Sequence, residues 1–464
     1  MKYLIFGTGE YYSRYKKWFE KEEIAALIDN APEKQGTCLD EIQILSPEQG
    51  VQLDYDRIMI LSVYVKEMKR QLVELEVPLE KIYHYYDLNR LICRSEEQKC
   101  KRYKKPVQYY SKTENMKGAV LLLSHDLALG GPAIALFNMA KVLKKQGHSI
   151  VFASTLDGPL RVSLLKEEIP VIIDVNLQIE TMNDAGWIVD FSLLVCNTLN
   201  FYVFLSERDT KIPVVWWLHD SAFFYEGVDR EVMRKISLQN LKVVSVGPVP
   251  ECAIRDFMPN LDCGQLLYGV ENMAVHGRKK RHSKTIRFIT VGFLEYRKGQ
   301  DVLVQAVKLL PEKIRECCEF YLVGQEKSLF GEKIQQESRD VREIVITGSV
   351  DREKIHGLLK DADVFICPSR QDPMPTAAAE AMMHSIPCIV SDTAGTAAYI
   401  EDEKNGLVFH SEDAGQLATK IEWCVQDKDK IEHMGKEAHK LYASYFSMEV
   451  FEKQLLELFK FEQL

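Results

Sequence analysis

The chain has 464 residues, with 59 Lys plus Arg against 68 Asp plus Glu and a formal net charge of −9. At roughly 100–200 residues per domain, this length predicts about three domains, and 46% hydrophobic with 27% charged residues excludes disordered and fibrous classes. The acidic balance gives no global attraction to nucleic acid, and no uncharged apolar run reaches the roughly 18 residues of a membrane-spanning helix.

The chain opens on Tyr3-Leu4-Ile5-Phe6, an apolar run too short for a signal peptide and read as a first strand. Eleven cysteines lie scattered without metal-ligand spacing, so the expected setting is a reducing cytoplasm. A short apolar or β-branched run, a glycine-containing turn and an amphipathic helix then recur in three blocks. That alternation predicts an α/β fold with parallel sheets covered by helices on both faces, and no segment reads as a run of hairpins.

The first block covers residues 1–92, with strands expected at 3–6, 24–28, 57–62 and 81–86 and a helix at 11–19. Gly7-Thr8-Gly9 with Asp29 at the end of the second strand has the outline of a dinucleotide fingerprint. Tyr12, however, stands at the third glycine position, where a ring resists close helix–strand packing. A docking module, or one for an unknown ligand, fits this block better than nicotinamide binding. Residues 93–116 read as a charged linker carrying Lys99, Lys101, Arg102, Lys104 and Lys105. The second block, 117–275, has strands expected at 118–123, 150–153, 171–174, 193–196, 214–218 and 243–246. Its helix at 133–145 follows Gly130-Gly131-Pro132. A second basic run, Arg278 to Arg281 with His282 and Lys284, precedes the third block, 285–440, with strands at 286–291, 319–323, 344–347, 364–367 and 388–390. The tail is helical, and 441–464 is expected to pack back on the second block. Two doubly wound domains in series leave a cleft beyond the carboxyl ends of their strands, where ligands bind in such sheets.

The stretch from Val364 to Met383 carries the most chemistry. A strand ends at Pro368-Ser369, a loop crosses Asp372, and Pro375-Thr376 open a helix because proline suits a first helical turn. Amides of Thr376 and Ala377 at that positive terminus suit a phosphate. Glu380, one turn further on, can accept two hydrogen bonds from a vicinal diol such as a ribose. A capping acid followed by a solvated glutamate is the plainer alternative.

This stretch resembles the acidic signature of glycosyltransferase family 4, retaining enzymes of the GT-B fold. In that family Pro-Ser precedes a Glu, seven intervening residues and a second Glu followed by Ala-Met. Here Pro368, Ser369, Glu380, Ala381 and Met382 match, with Asp372 at the first Glu position. Gly292, Lys298 and Gly299 match the family's diphosphate-gripping segment, although Phe293 replaces its Arg and neighbouring Arg297 stands in as the second cation. The Gly130-Gly131 pair resembles the family's first loop, His219 its strand-end histidine, and Gly395-Thr396 its turn over the donor sugar. Ala394 and Ala398 replace a Gly and a Glu there, while Lys404 to Leu407 match the next turn.

The resemblance implies a GT-B arrangement of two doubly wound Rossmann-like domains plus an N-terminal Rossmann-like module of the kind found on bacterial polysaccharide enzymes. It implies a retaining, metal-independent hexosyltransferase that needs no cofactor beyond its nucleotide-sugar substrate and acts on a glycan or lipid-linked acceptor. His219, Asp372 and Glu380 become the catalytic candidates. Gly130, Gly131, Gly292, Arg297, Lys298, Pro375, Thr376, Ala377, Gly395 and Thr396 become the donor-binding ones. Asp361-Ala362-Asp363 precedes its strand and so lies at the amino end, away from the cleft. The two basic runs suggest a peripheral site on an anionic membrane face. A nucleotide-sugar epimerase of the same fold, or a non-catalytic nucleotide-binding partner, remain the alternatives.

Overall fold

In the computed structural model, residues 1–19, 22–62, 64–88, 106–111, 116–273, 285–324 and 329–460 are described. Both basic runs, 99–105 and 278–284, lie outside these residues. The chain forms two compact units: Met1–Ala128 with Ser149–Val214 and Ala222–Leu241, and Leu129–His148 with Val215–Ser221 and Lys242–Leu464.

In the first unit, the N-terminal sheet runs in the order Cys38–Leu39, Ile42–Leu45, Glu23–Ile28, Lys2–Phe6, Arg57–Ile60, Ile82–His84. The apolar runs predict the four main strands because strands covered on both faces are continuously hydrophobic; Leu4, Ile5, Phe6, Leu27 and Ile58 are all fully buried. The expected helix at 11–19 divides into an α-helix Glu10–Tyr15 and a tighter 3₁₀ turn Lys16–Phe19. A second group of neighbouring strands in this unit runs Leu193–Asn197, Val120–Ser124, Ile150–Ser154, Val171–Ile173, Gln108–Tyr110.

Two pairings differ from the all-parallel expectation. Cys38–Leu39 and Ile42–Leu45 form an antiparallel hairpin, and Gln108–Tyr110 runs antiparallel on Val171–Ile173. The hairpin turns on Asp40 and Glu41 at φ +50° and +65°. Without the Asn-Gly or Asp-Gly pair such a turn prefers, it leaves no signal in the sequence.

In the second unit, six parallel strands run in the order Ile344–Gly348, Cys318–Val323, Ile286–Val291, Val364–Cys367, Cys388–Ser391, Gly406–Phe409. In sequence terms this is 3-2-1-4-5-6, the doubly wound order, whose direction reverses between the first and fourth strands. The last strand falls where the sequence reads as a turn, since Lys404-Asn405 leads directly into it. The core beneath is apolar throughout, with Phe288 and Phe320 stacked at 5.0 Å. The tail forms helices Ala414–Gln426, Lys428–Leu441 and Met448–Lys460. Within this unit Phe451 of the last helix stacks on Trp217 at 5.9 Å, and Lys145 pairs with Glu452.

Candidate functional site

Two segments of the second unit leave the carboxyl ends of the adjacent strands Ile286–Val291 and Val364–Cys367, at the point where strand order reverses. The first passes Gly292 and closes a 3₁₀ turn, Tyr296–Lys298, on Gly299. Gly299 is left-handed at φ +66°, and a Cβ built there would lie 2.0 Å from the Pro368 carbonyl. Only glycine allows that crossing, and the crossing aims Lys298 across the sheet. The second segment carries Ser369 and Asp372, and the two meet: Lys298 Nζ donates to Asp372 Oδ2 at 2.5 Å. Ser369 Oγ lies 3.4 Å from the same oxygen. A small hollow over this pair is lined by Lys298, Gln300, Ser369, Asp372 and Pro375.

Pro375 caps the helix Thr376–Met383. Alanine is the strongest helix former, and the small Ala378, Ala379 and Ala381 are fully buried. The first-turn amides of Thr376 and Ala377 have no acceptor within the helix. Gly131 begins the helix Gly131–Lys145, and a Cβ built on it would lie 3.0 Å from Thr376 Oγ1. Lys298, the Thr376 terminus and the Gly130-Gly131 turn therefore converge on one place. Gly395 completes it, donating its amide to the Asp372 carbonyl at 2.9 Å. A Cβ there would meet the Pro373 carbonyl at 1.8 Å, so this turn also demands glycine. Neighbouring Thr396 is fully buried, and its hydroxyl finds no hydrogen-bond partner.

Glu380 is 5% exposed and accepts a close hydrogen bond from Arg352. Behind it, burial pushes the imidazole of His384 down to about 4, so this residue is neutral near pH 7. His219 is buried beside Trp217, with ring centroids 4.5 Å apart. Arg297 does not face the hollow as an open cation. Its guanidinium donates to the Gln371 carbonyl at 2.9 Å and to Glu295 at 2.6 Å, clamping the loop before Asp372. Phe293 is 61% exposed, and its carbonyl accepts from the side chain of Gln300. Asp363 accepts from the Arg287 amide at the amino ends of the two central strands. Among the described residues no group of three or more His, Cys, Asp or Glu side chains is arranged to hold a metal ion.

Sequence reasoning passes over Arg352, Gln300 and Arg370. Arg370 bonds both oxygens of Asp301 at 2.8 and 2.9 Å and covers the Tyr296 ring at 4.0 Å. Each is an ordinary polar residue in sequence: Arg352 and Arg370 acquire their places through partners 28 and 69 positions away, and Gln300 through the Phe293 carbonyl.

In the first unit a second polar cluster gathers where the direction reverses between Val120–Ser124 and Leu193–Asn197. His125 Nε2 lies 3.3 Å from Asp126, and Thr198 Oγ1 lies 3.4 Å from His125 Nδ1. Burial alone would raise the Asp126 carboxyl, but His125, the Ala128 amide and Arg14 outweigh it and hold the group below the usual range. Thr198 stands at φ +82°, a strain of about 1–3 kcal/mol for a β-branched residue and of a kind that clusters at ligand sites. The N-terminal module closes on itself instead. Asp29 accepts from the Thr8 amide and hydroxyl, the Ala31 amide and Lys34.

A doubly wound sheet with a cation, an acid and a helix terminus at its reversal point has the form of one half of a GT-B protein. Solved structures agree on the fold. Anabaena HepE, crystallised in complex with UDP and glucose, matches 75% of this chain and 100% of its own length with a TM-score of 0.63 at 18% identity. Residues 274–441 match the family model for glycosyl transferases group 1, and residues 117–243 that for glycosyl-transferase family 4. Residues 1–83 match a "C2185-like, N-terminal" model. With the first two models in series over more than half of its length, the chain belongs to the family 4 glycosyltransferases and has the GT-B fold.

Among curated relatives, spore coat protein SA of Bacillus subtilis is 28% identical over 39% of this chain and 49% of its own length. The chain thus spans about half of that relative. The UDP-Gal:alpha-D-GlcNAc-diphosphoundecaprenol alpha-1,3-galactosyltransferase of Escherichia coli is 23% identical over 82% of this chain and 90% of its own.

Proposed function

We propose that the protein transfers a sugar from a nucleotide-sugar donor to an acceptor hydroxyl, with retention and without a metal ion, in the synthesis of a cell-surface polysaccharide or glycoconjugate. The observation that carries this reading is the convergence of Lys298, Asp372 and the Thr376 helix terminus beside Gly131. A diphosphate needs several donors aimed at one spot. Lys298 and the Thr376 and Ala377 amides supply them, and Gly130-Gly131 leave room for the ligand.

Each remaining residue has a role in this reading. Arriving diphosphate draws Lys298 from Asp372, freeing that carboxylate for the hydroxyls of the donor sugar. Thr396, with an unpartnered buried hydroxyl, joins it from the Gly395 turn. Glu380 takes the ribose diol, and His219 lines the reaction centre. Pro375 and Gly292 shape the backbone around the phosphates, while Arg297 holds the loop rather than the ligand. Lys298 and the helix dipole offset the negative charge that builds on the leaving diphosphate, whose oxygen takes the acceptor proton. The crystallisation of HepE in complex with UDP and glucose, and the UDP-galactose donor and lipid-diphosphate acceptor in the name of the Escherichia coli relative, support a UDP-type donor and a lipid-linked acceptor. Such an acceptor places the protein at the cytoplasmic membrane face, and among the described residues no helix is long and apolar enough to cross it. Residues 117–275 would hold the acceptor and 285–440 the donor.

A panel of nucleotide sugars, scored for released nucleoside diphosphate with and without lipid-linked acceptors, tests the reading. One donor should be consumed faster with acceptor, in a chelator-insensitive reaction whose product keeps the donor's anomeric configuration by NMR. Isomerised donor, inverted product or no turnover would each refute it. Glu380→Ala should lower kcat/KM about tenfold or more.

A further inference from the structure

Resting on the ribose assignment just made for Glu380, we propose that Arg352 is a positioning residue for the nucleotide ribose, holding the Glu380 carboxylate in the orientation that grips the diol. Glu380 projects from a helix whose inner face is fully buried, and its side chain is 6% exposed against 45% for Arg352. Burying a carboxylate this far from water is costly without a charged partner. Arg352 supplies it, and among the described residues no other side chain bonds that carboxylate.

Arg352 is placed to do so by its own helix. It is the first residue of Arg352–Lys360, fixed by Asp351, whose side chain accepts from the Lys354 amide at 2.8 Å. That helix packs against Thr376–Met383, so two rigid elements determine where the pair sits. Arg352 bonds Oε1 alone, which leaves Oε2 as an acceptor. That single charge-assisted bond fixes one carboxylate oxygen and leaves the other to the ribose diol, so the arginine acts on the ribose without touching it. A lysine ammonium is a point charge on a flexible stem and fixes the same oxygen less firmly.

The test compares ribose with its dideoxy counterpart. Calorimetric titration with UDP, GDP and ADP identifies the nucleotide bound, and the 2′,3′-dideoxy form of that nucleotide is then titrated into wild type, Arg352→Ala and Arg352→Lys. Wild type should prefer the ribose form about tenfold or more, as expected for hydrogen bonds to a charged group. Arg352→Ala should lose that preference to within about twofold, by weakening ribose binding alone, and Arg352→Lys should fall between. Asp351, not Arg352, caps this helix, and the Arg352 side chain is 45% exposed, so melting curves should show all three folded. A merely structural role would weaken both nucleotides equally and keep the preference, which overturns the proposal. Equal binding of the two forms by wild type would instead overturn the ribose role of Glu380, and the inference with it. Failure to bind any of the three nucleotides would remove the donor reading itself.

Discussion

The N-terminal sheet of the first unit and the six parallel strands of the second share a parallel core that reverses direction beside its first strand, yet they treat the reversal point in opposite ways. In the N-terminal sheet the strands Lys2–Phe6 and Arg57–Ile60 flank it, and Gly7 runs so close that an added Cβ would lie 2.7 Å from the Leu61 carbonyl. The neighbouring acid, Asp29, is fully occupied by Thr8, Ala31 and Lys34. In the second unit, Lys298 and Asp372 meet over a hollow, and the first-turn amides of the Thr376 helix have no acceptor within the helix. An acid bonded by its own turn stabilises that turn. An acid held chiefly by a cation that phosphate can claim, with only the longer Ser369 contact beside it, is set for exchange. Winding brings residues together in both sheets, and the state of their bonds separates structure from site.

The largest effect should come from breaking the open reversal point. Lys298→Met keeps the side-chain stem and removes the charge. Losing one preorganised donor to a developing charge typically lowers kcat about a hundredfold to a thousandfold, and sugar transfer by this variant should fall in that range. The Asp372 carboxylate, 6% exposed, loses its partner too, so the melting temperature must be measured alongside. Lys298→Met with Asp372→Asn should recover stability without recovering transfer. Recovery of transfer by the double variant would mean that the pair is structural and that the two reversal points do not differ in kind.

The closed reversal point should respond in stability and not in turnover. Burial alone would raise the Asp29 carboxyl, but the Thr8 hydroxyl, the Ala31 amide and Lys34 outweigh it and hold the group below its ordinary range. A depressed carboxyl adds stability that is present above its unfolded pKa of about 4 and is lost as pH falls through the lower folded value. Asp29→Asn should therefore lower stability by about 1.5–3 kcal/mol at neutral pH and flatten acid denaturation of the first unit below about pH 4. Transfer per folded molecule should stay at the wild-type rate. A drop in transfer with unchanged melting would show that the N-terminal module holds a working ligand site after all.

What sequence could reveal follows the same division. Central strands were legible because burial on both faces writes continuous apolar runs, and the Thr376 helix because two prolines and four alanines leave few other conformations. The meeting of Lys298 with the Asp372 loop followed from motif order, since both segments leave adjacent strand ends. The Asp40-Glu41 hairpin was hidden because its left-handed residues are neither Asn nor Gly. Arg352 was hidden because nothing near it marks a partner 28 positions on. The contacts of Arg297 with Glu295 and Gln371 were hidden for a related reason: a cation beside a phosphate motif gives no sign in sequence of the partners it already has.

That last point gives the smallest effect and the sharpest view of the open reversal point. The segment has one cation in the hollow where its family uses two, because Phe293 stands at the usual arginine position and Arg297 is engaged elsewhere. Phe293 is 61% exposed, so its ring adds little to packing. Its hydrogen bond, the carbonyl accepting from Gln300 at 2.8 Å, belongs to the backbone and survives substitution. Phe293→Arg can therefore add a charge without removing a fold contact. A solvent-facing guanidinium near a diphosphate is screened by water and salt, so the gain should be about twofold to tenfold in donor KM, with kcat nearly unchanged because ground state and transition state are bound alike. The gain should shrink as ionic strength rises. A rise in kcat instead would mean that the added charge reaches the leaving oxygen itself, which would make the natural phenylalanine a brake on chemistry rather than a neutral replacement.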